Sequence, residues 1–444
     1  MILGSLILSV ITILLMVDCL RFGWCSTLIS SFWVFTLFFV LSYPVKYLLI
    51  VAYEVEYQAP IKPELEFLNL ALILSFSFWL VVYLFRRLPR YLLVKQSIPC
   101  KSNFSKPVDK KKPLLVYTIL LSIVGASLIA YYQLLESNGF NFSLAFEGNT
   151  QNEARFGSGH IFFMYTLYFS ALLLALYFVK KKSLVFIFII ASLSILAGFL
   201  EMVLLGTRRP LFLIGYALLL FLFISKKNNL YVFLLALFPI MSSILAPIGQ
   251  VLRYSLSAII SGNGITPISM DFIVVAVGST FEGVEHLANF LSRLNVWQFI
   301  FGVDQGVSWL FNIGLSLIPR LVWESKPPLY GSVAEQYFLY PDMYASGVGQ
   351  TTLPLGIVVD SMYGFGVIFV LIFALFYAKL FATIDRVLFV RAVNPGFSLL
   401  TAATVYISMF NLVRGGTSIF MVVAMLFVIA VPFHFLARAK YCLR

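Results

Sequence analysis

Apolar runs of about 20 residues, the length that crosses a bilayer as a helix, recur along the whole chain and restrict what it can fold into. They lack the polar alternation of an outer-membrane barrel strand. With 61% hydrophobic and only 11% charged residues, the chain reads as an all-α polytopic membrane protein. Candidate spans cover 2–17, 26–52, 67–85, 114–135, 161–179, 184–205, 211–225, 230–248, 354–379, 395–413 and 417–436, about eleven helices. The second is long and expected to tilt or bend at Pro44. Residues 1–444 form one integral membrane domain.

Charge sorting supplies an orientation. Arg21, the 86–112 linker, Lys180–Lys182, Lys226/Lys227, Lys379/Arg386/Arg391 and the tail Arg438/Lys440/Arg444 hold 21 of the 31 Lys and Arg residues. Those linkers contain three acids, Asp18, Asp109 and Asp385, and the excess of positive charge marks them as cytoplasmic. Alternation then predicts an external amino terminus and a cytoplasmic carboxyl terminus. Residues 2–17 have no preceding basic residue and Arg21 behind them, so a retained first helix is expected rather than a signal peptide. The net charge of +12 is therefore topological and carries no argument for nucleic acid. Cys19, Cys25, Cys100 and Cys442 all fall on the reducing side, which predicts no disulfide framework.

The external segments carry the chemistry. Residues 136–160 read as an Asn/Gly-rich loop, and 249–353 is too long to stay unstructured, so it should fold onto the outer membrane face. Within it, 281–295 has helical spacing. Glu282, Glu285, His286, Asn289 and Arg293 share one face, opposite Leu287, Phe290, Leu291 and Leu294. An interfacial helix with a solvated polar face is expected there. Residues 309–318, apolar but short and ended by Pro319, read as a re-entrant or surface-buried segment.

Basic residues on this face run against the charge bias. Arg208 and Arg209 sit in the tight turn Gly206-Thr-Arg-Arg-Pro210, and Arg253 follows the eighth span. Arg320 and Lys326 lie in the long loop, and Arg414 occupies the last outer turn. An arginine fork matches phosphate and carboxylate oxygens, so the set predicts an anionic, membrane-level ligand such as a polyprenyl pyrophosphate. Snorkelling to headgroups or pairing with external acids is the alternative for each cation. Asp360, about two turns into the ninth span, is a membrane-buried carboxylate that either accepts a proton or neutralises an arginine. Glu335 and His160 are the further candidate bases, while Glu201 is read as an ion-pair partner of Arg208. No metal-ligand cluster or Gly-rich phosphate loop is evident, so no metal or other cofactor is expected.

Gly206-Thr-Arg-Arg-Pro210, Ile318-Pro-Arg-Leu-Val-Trp-Glu-Ser-Lys-Pro327 and Gly349-Gln-Thr-Thr-Leu-Pro354, leading through Asp360 to Tyr363-Gly-Phe-Gly366, resemble the O-antigen polymerase (Wzy-type) family of oligosaccharide repeat-unit polymerases. The order of spans and the large late loop resemble that family as well. Many members have Glu near the position of Asp360. The resemblance implies a GT-C-like membrane glycosyltransferase in the bacterial inner membrane, working on its periplasmic face. Its substrates would be undecaprenyl-pyrophosphate-linked oligosaccharides, and a chain-length regulator and a flippase would be its pathway partners. An O-antigen ligase type or a lipid-linked oligosaccharide flippase are the competing expectations.

Overall fold

The computed structural model describes residues 1–53, 62–86, 283–305, 337–341 and 355–390, with isolated positions 281 and 307 and short pieces between 215 and 241 and between 405 and 414. Every regular element among the described residues is helical. Four stretches, Ile2–Phe22, Ser31–Val51, Leu65–Phe85 and Ile357–Leu388, are long and apolar enough to cross a membrane. The chain is thus an all-α membrane protein.

The first helix, α1 (Ile2–Phe22), runs five residues beyond the expected span and ends at Gly23. The extension takes Asp18 into the helix, where Arg86 pairs it. A short α2 (Trp24–Leu28) then leads to Ser30, whose side chain caps α3 (Ser31–Val40) by accepting from the Trp33 amide. The second span therefore starts at Ser31 rather than 26. Pro44 is accommodated by a π-helical turn, Leu41–Val45, before α4 (Lys46–Tyr53) continues. The proline lacks an amide hydrogen, and widening the turn removes the clash of its ring with the preceding carbonyl. The third span is α5 (Leu65–Phe85), as expected from 67–85 within two residues.

The central helix is α3, with α1 at the periphery; 61% of the Ser31–Val51 window is buried against 22% of Ile2–Phe22. Phe32 packs on Trp79 and Phe35 on Phe78 of α5, and the Trp79 indole donates to Thr36 at 3.0 Å. From the large loop come α6 (Gly283–Arg293) and α7 (Val296–Phe301), the latter opened by an Asn295–Gln298 capping box. The ninth expected span, 354–379, is instead α8 (Ile357–Asp385), continued by a π turn at Arg386–Val390. Lys379, Asp385 and Arg386 therefore belong to a helix and not to a linker. A short α9 (Met409–Arg414) packs on α3 near the end of the span expected at 395–413. Residues 230–238 are helical inside the span expected at 230–248. The other expected spans lie wholly or mostly outside the described residues.

Side-chain contacts show which ends meet. Asp18, late in α1, pairs with Arg86 at the end of α5. Ser31, opening α3, donates its amide to Asp385 at the end of α8, at 2.8 Å. The Arg86 guanidinium also lies 4.0 Å over both the Phe32 and Tyr83 rings. One end of the bundle thus gathers the termini that charge sorting assigns to one side. Burial lowers the Arg86 pKa while the nearby Asp385 carboxylate raises it.

Candidate functional site

The opposite end of the bundle holds a buried polar layer, and α6 supplies most of it. Glu285, His286 and Asn289 are 0%, 0% and 3% exposed, so the face expected to be solvated is instead enclosed. The reason is its partners: α6 lies against α5 and α8, and both of its faces are covered. Its last two residues, Ser292 and Arg293, remain exposed, and Arg293 donates to the Phe338 carbonyl at 3.3 Å. An amphipathic pattern locates a polar stripe but does not say whether water or protein meets it.

Glu285 meets Lys46 from α4, with Nζ 3.0 Å from Oε1 and both side chains withdrawn from solvent. Lys46 lies 15 residues after Ser31, about 22 Å along the helix, inside the hydrocarbon thickness. A charge at that depth requires a partner, and Glu285 is one. Just before Lys46, Tyr43 is fully buried and packs between the starts of two helices. A Cβ on Gly283 would lie 3.0 Å from its ring, and one on Gly356 would lie 2.8 Å from its hydroxyl. Gly356 is the residue from which α8 starts.

Asp360 occupies the first turn of α8 and is buried at 3% exposure. Its amide donates at 3.1 Å to the carbonyl of Gly356, the residue on which the Tyr43 hydroxyl packs. The layer therefore joins Asp360 to Tyr43, and through Gly283 to the Glu285–Lys46 pair. On the next position of α6, His286 Nδ1 lies 2.9 Å from the Tyr340 hydroxyl, which also accepts from the Asn289 amide at 3.2 Å. The assignment that uses all three groups has Tyr340 donating to Nδ1 and the imidazole proton on Nε2.

Below this layer α8 is interrupted. Gly366 has φ 74° and ψ −175°, a conformation open to glycine, so the helix is two segments meeting at Tyr363-Gly-Phe-Gly366. The Tyr363 carbonyl, which would ordinarily receive the Val367 amide, accepts instead from Val303 at 2.7 Å and Asp304 at 3.4 Å. The end of α7 fits into the break: a Cβ on Gly366 would lie 2.2 Å from the Ile300 carbonyl, and one on Gly302 2.6 Å from the Phe365 amide. Irregular backbone at membrane depth is tolerated where protein satisfies it, and α7 does so here.

Of the residues singled out from the sequence, the structure places Asp360 in this layer. Arg414 is the last residue of α9, and only its backbone is described. Arg208, Arg209, Arg253, Arg320, Lys326, Glu335, Glu201 and His160 lie outside the described residues, as do 136–160 and the re-entrant stretch 309–318. Among the described residues no group of three or more His, Cys, Asp and Glu side chains could hold a metal ion. The Lys46–Glu285 pair was missed, though a lone lysine late in the apolar run 26–52 already demanded an acid. Tyr340 gave no signal in the sequence. Comparison with protein-family models, with curated proteins and with solved structures finds no match for this chain.

Proposed function

We propose that the protein polymerises lipid-linked oligosaccharide repeat units, moving the growing glycan from undecaprenyl pyrophosphate to the non-reducing end of another lipid-linked unit. The observation that supports this reading is Asp360, a carboxylate enclosed at the head of a membrane helix whose first residue, Gly356, packs on Tyr43, with the buried Lys46–Glu285 pair on the neighbouring elements. Enclosing so many ionisable groups at membrane depth is costly and argues for chemistry there. The acceptor hydroxyl oxygen attacks the donor's anomeric carbon, the bond from that carbon to the pyrophosphate oxygen breaks, and the pyrophosphate leaves with the electron pair. Asp360 takes the hydroxyl proton, with Glu335 and His160 as the other candidate bases. Arg208, Arg209 and Arg320, assisted by Lys326, Arg253 and Arg414, neutralise the leaving group, so the reaction uses no metal.

In this reading the enzyme is GT-C-like, has about eleven spans in the bacterial inner membrane, and faces the periplasm with its polar layer. Its amino terminus is external and its carboxyl terminus cytoplasmic. A chain-length regulator and a flippase act beside it. A flippase is the second reading, favoured by the interruption of α8 at Gly366, since transporters bind substrate at broken helices. A ligase-type transferase would use the same donor with a different acceptor. Surface glycan from cells lacking the protein separates the three. Single lipid-linked units outside support the polymerase, long unattached polymer indicates a ligase, and units trapped inside indicate a flippase.

A further inference from the structure

A buried ion pair is seldom retained for stability, because apolar residues of similar volume usually serve as well or better. Lys46 and Glu285 sit among the aromatic and aliphatic side chains of the core. Their location suggests another use. The π turn at Leu41–Val45 contains Tyr43 and leads directly into Lys46, and both are buried. Tyr43 then fixes the start of α6 sterically, against Gly283 and Gly356. Three residues after Tyr43, Lys46 fixes the same helix electrostatically through Glu285. The neighbouring position, His286, shares Tyr340 with Asn289. A small rotation or slide of α6 would therefore displace the His286–Tyr340 group and the start of the helix that carries Asp360.

We propose that Lys46 and Glu285 are a positioning pair, whose charge holds α6 in the register that seats Gly283 against Tyr43 and Gly356 at the head of α8, and so sets Asp360 for the transfer reaction. The inference rests on the transferase reading above and adds residues that lie outside the arginine constellation. Neither member touches substrate in this account. They act through α6, so the loss falls on turnover rather than on donor binding.

The test uses the full-length protein in a strain lacking its own copy, and the purified protein with lipid-linked repeat units. Lys46→Met and Glu285→Leu alone should each lower the amount of protein in the membrane, because each strands a buried charge. The double variant should recover that amount to within about twofold of wild type, since neither charge is then left buried. Its kcat should nevertheless stay about 100-fold down, the scale of an ångström-sized misplacement, with KM for the donor little changed. A double variant with wild-type kcat would make the pair a scaffold only and overturn the inference. If the double variant is poorly made, Lys46→Arg/Glu285→Asp decides, because it keeps both charges and moves their meeting point. Normal protein level with reduced kcat supports positioning, and normal kcat overturns it. Deletion cells that still make normal polymer overturn the transferase reading and this inference together; normal kcat in the pair variants alone overturns only the inference.

Discussion

Lys46 and Glu285, 239 positions apart in sequence, meet 3.0 Å apart with their side chains 1% and 0% exposed. The contact fastens a helix of the large loop into the bundle of spans. Replacing either residue by alanine strands the other charge and should cost about 3–5 kcal/mol. Thermal unfolding of the detergent-solubilised protein measures this. A shift no larger than that of an exposed substitution such as Arg293→Ala would contradict it.

The break in α8 predicts a second effect. Gly366→Ala places a methyl group where the Ile300 carbonyl stands, and Gly302→Ala places one against the Phe365 amide. Both positions also have positive φ, 74° and 89°. Each substitution should dislodge α7 from α8 and cost about 1–3 kcal/mol from backbone strain alone. Faster proteolysis or hydrogen exchange at Val303, whose amide is bound to Tyr363, reports the loss.

Tyr340→Phe keeps the ring and deletes the oxygen shared by His286 and Asn289. Leaving those buried groups without this partner should cost about 1–3 kcal/mol. Thermal unfolding checks the magnitude; an unchanged midpoint would mean the hydroxyl is not a working member of the layer.

How much of this was legible in the sequence follows from the kind of signal each element carries. Apolar length located α1, α5 and α8 because a helix needs enough apolar residues to cross lipid. It misjudged the ends of α1 and α8, since Asp18 and Asp385 look like linker acids until Arg86 and the Ser31 amide are seen to hold them. Pro44 marked a bend, and the bend is a π turn. The polar stripe of 281–295 was readable and its surroundings were not, because periodicity ranks the faces of one helix and is blind to what packs on them. Asp360 stood out as an acid inside an apolar run, and it is buried as expected. Tyr43, which packs on the start of its helix, comes from a distant segment, and no local pattern links the two.

The orientation is tested by single cysteines in a cysteine-free background. Positions Asn152 and Ser332 should react with an impermeant thiol reagent from outside, and Ser102 should not. Labelling confined to Ser102 would reverse the orientation.

Arg320 should behave as a bidentate pyrophosphate ligand. Arg320→Ala should abolish polymer without lowering protein level, and Arg320→Lys should rescue poorly because a point charge lacks the fork. Full polymer from the alanine variant would remove it from the site.

In the proposed reaction the protein joins lipid-linked repeat units through a layer containing Asp360. Purified protein in liposomes, supplied only with undecaprenyl-pyrophosphate-linked repeat units, tests it most directly. The account predicts a ladder of lengthening glycans with release of undecaprenyl pyrophosphate. Asp360→Asn should form no ladder while still folding and binding donor, and replacing Arg208 or Arg209 by Gln in that background should not restore it. An unaltered ladder from Asp360→Asn, or no ladder from the wild-type protein, would contradict the account.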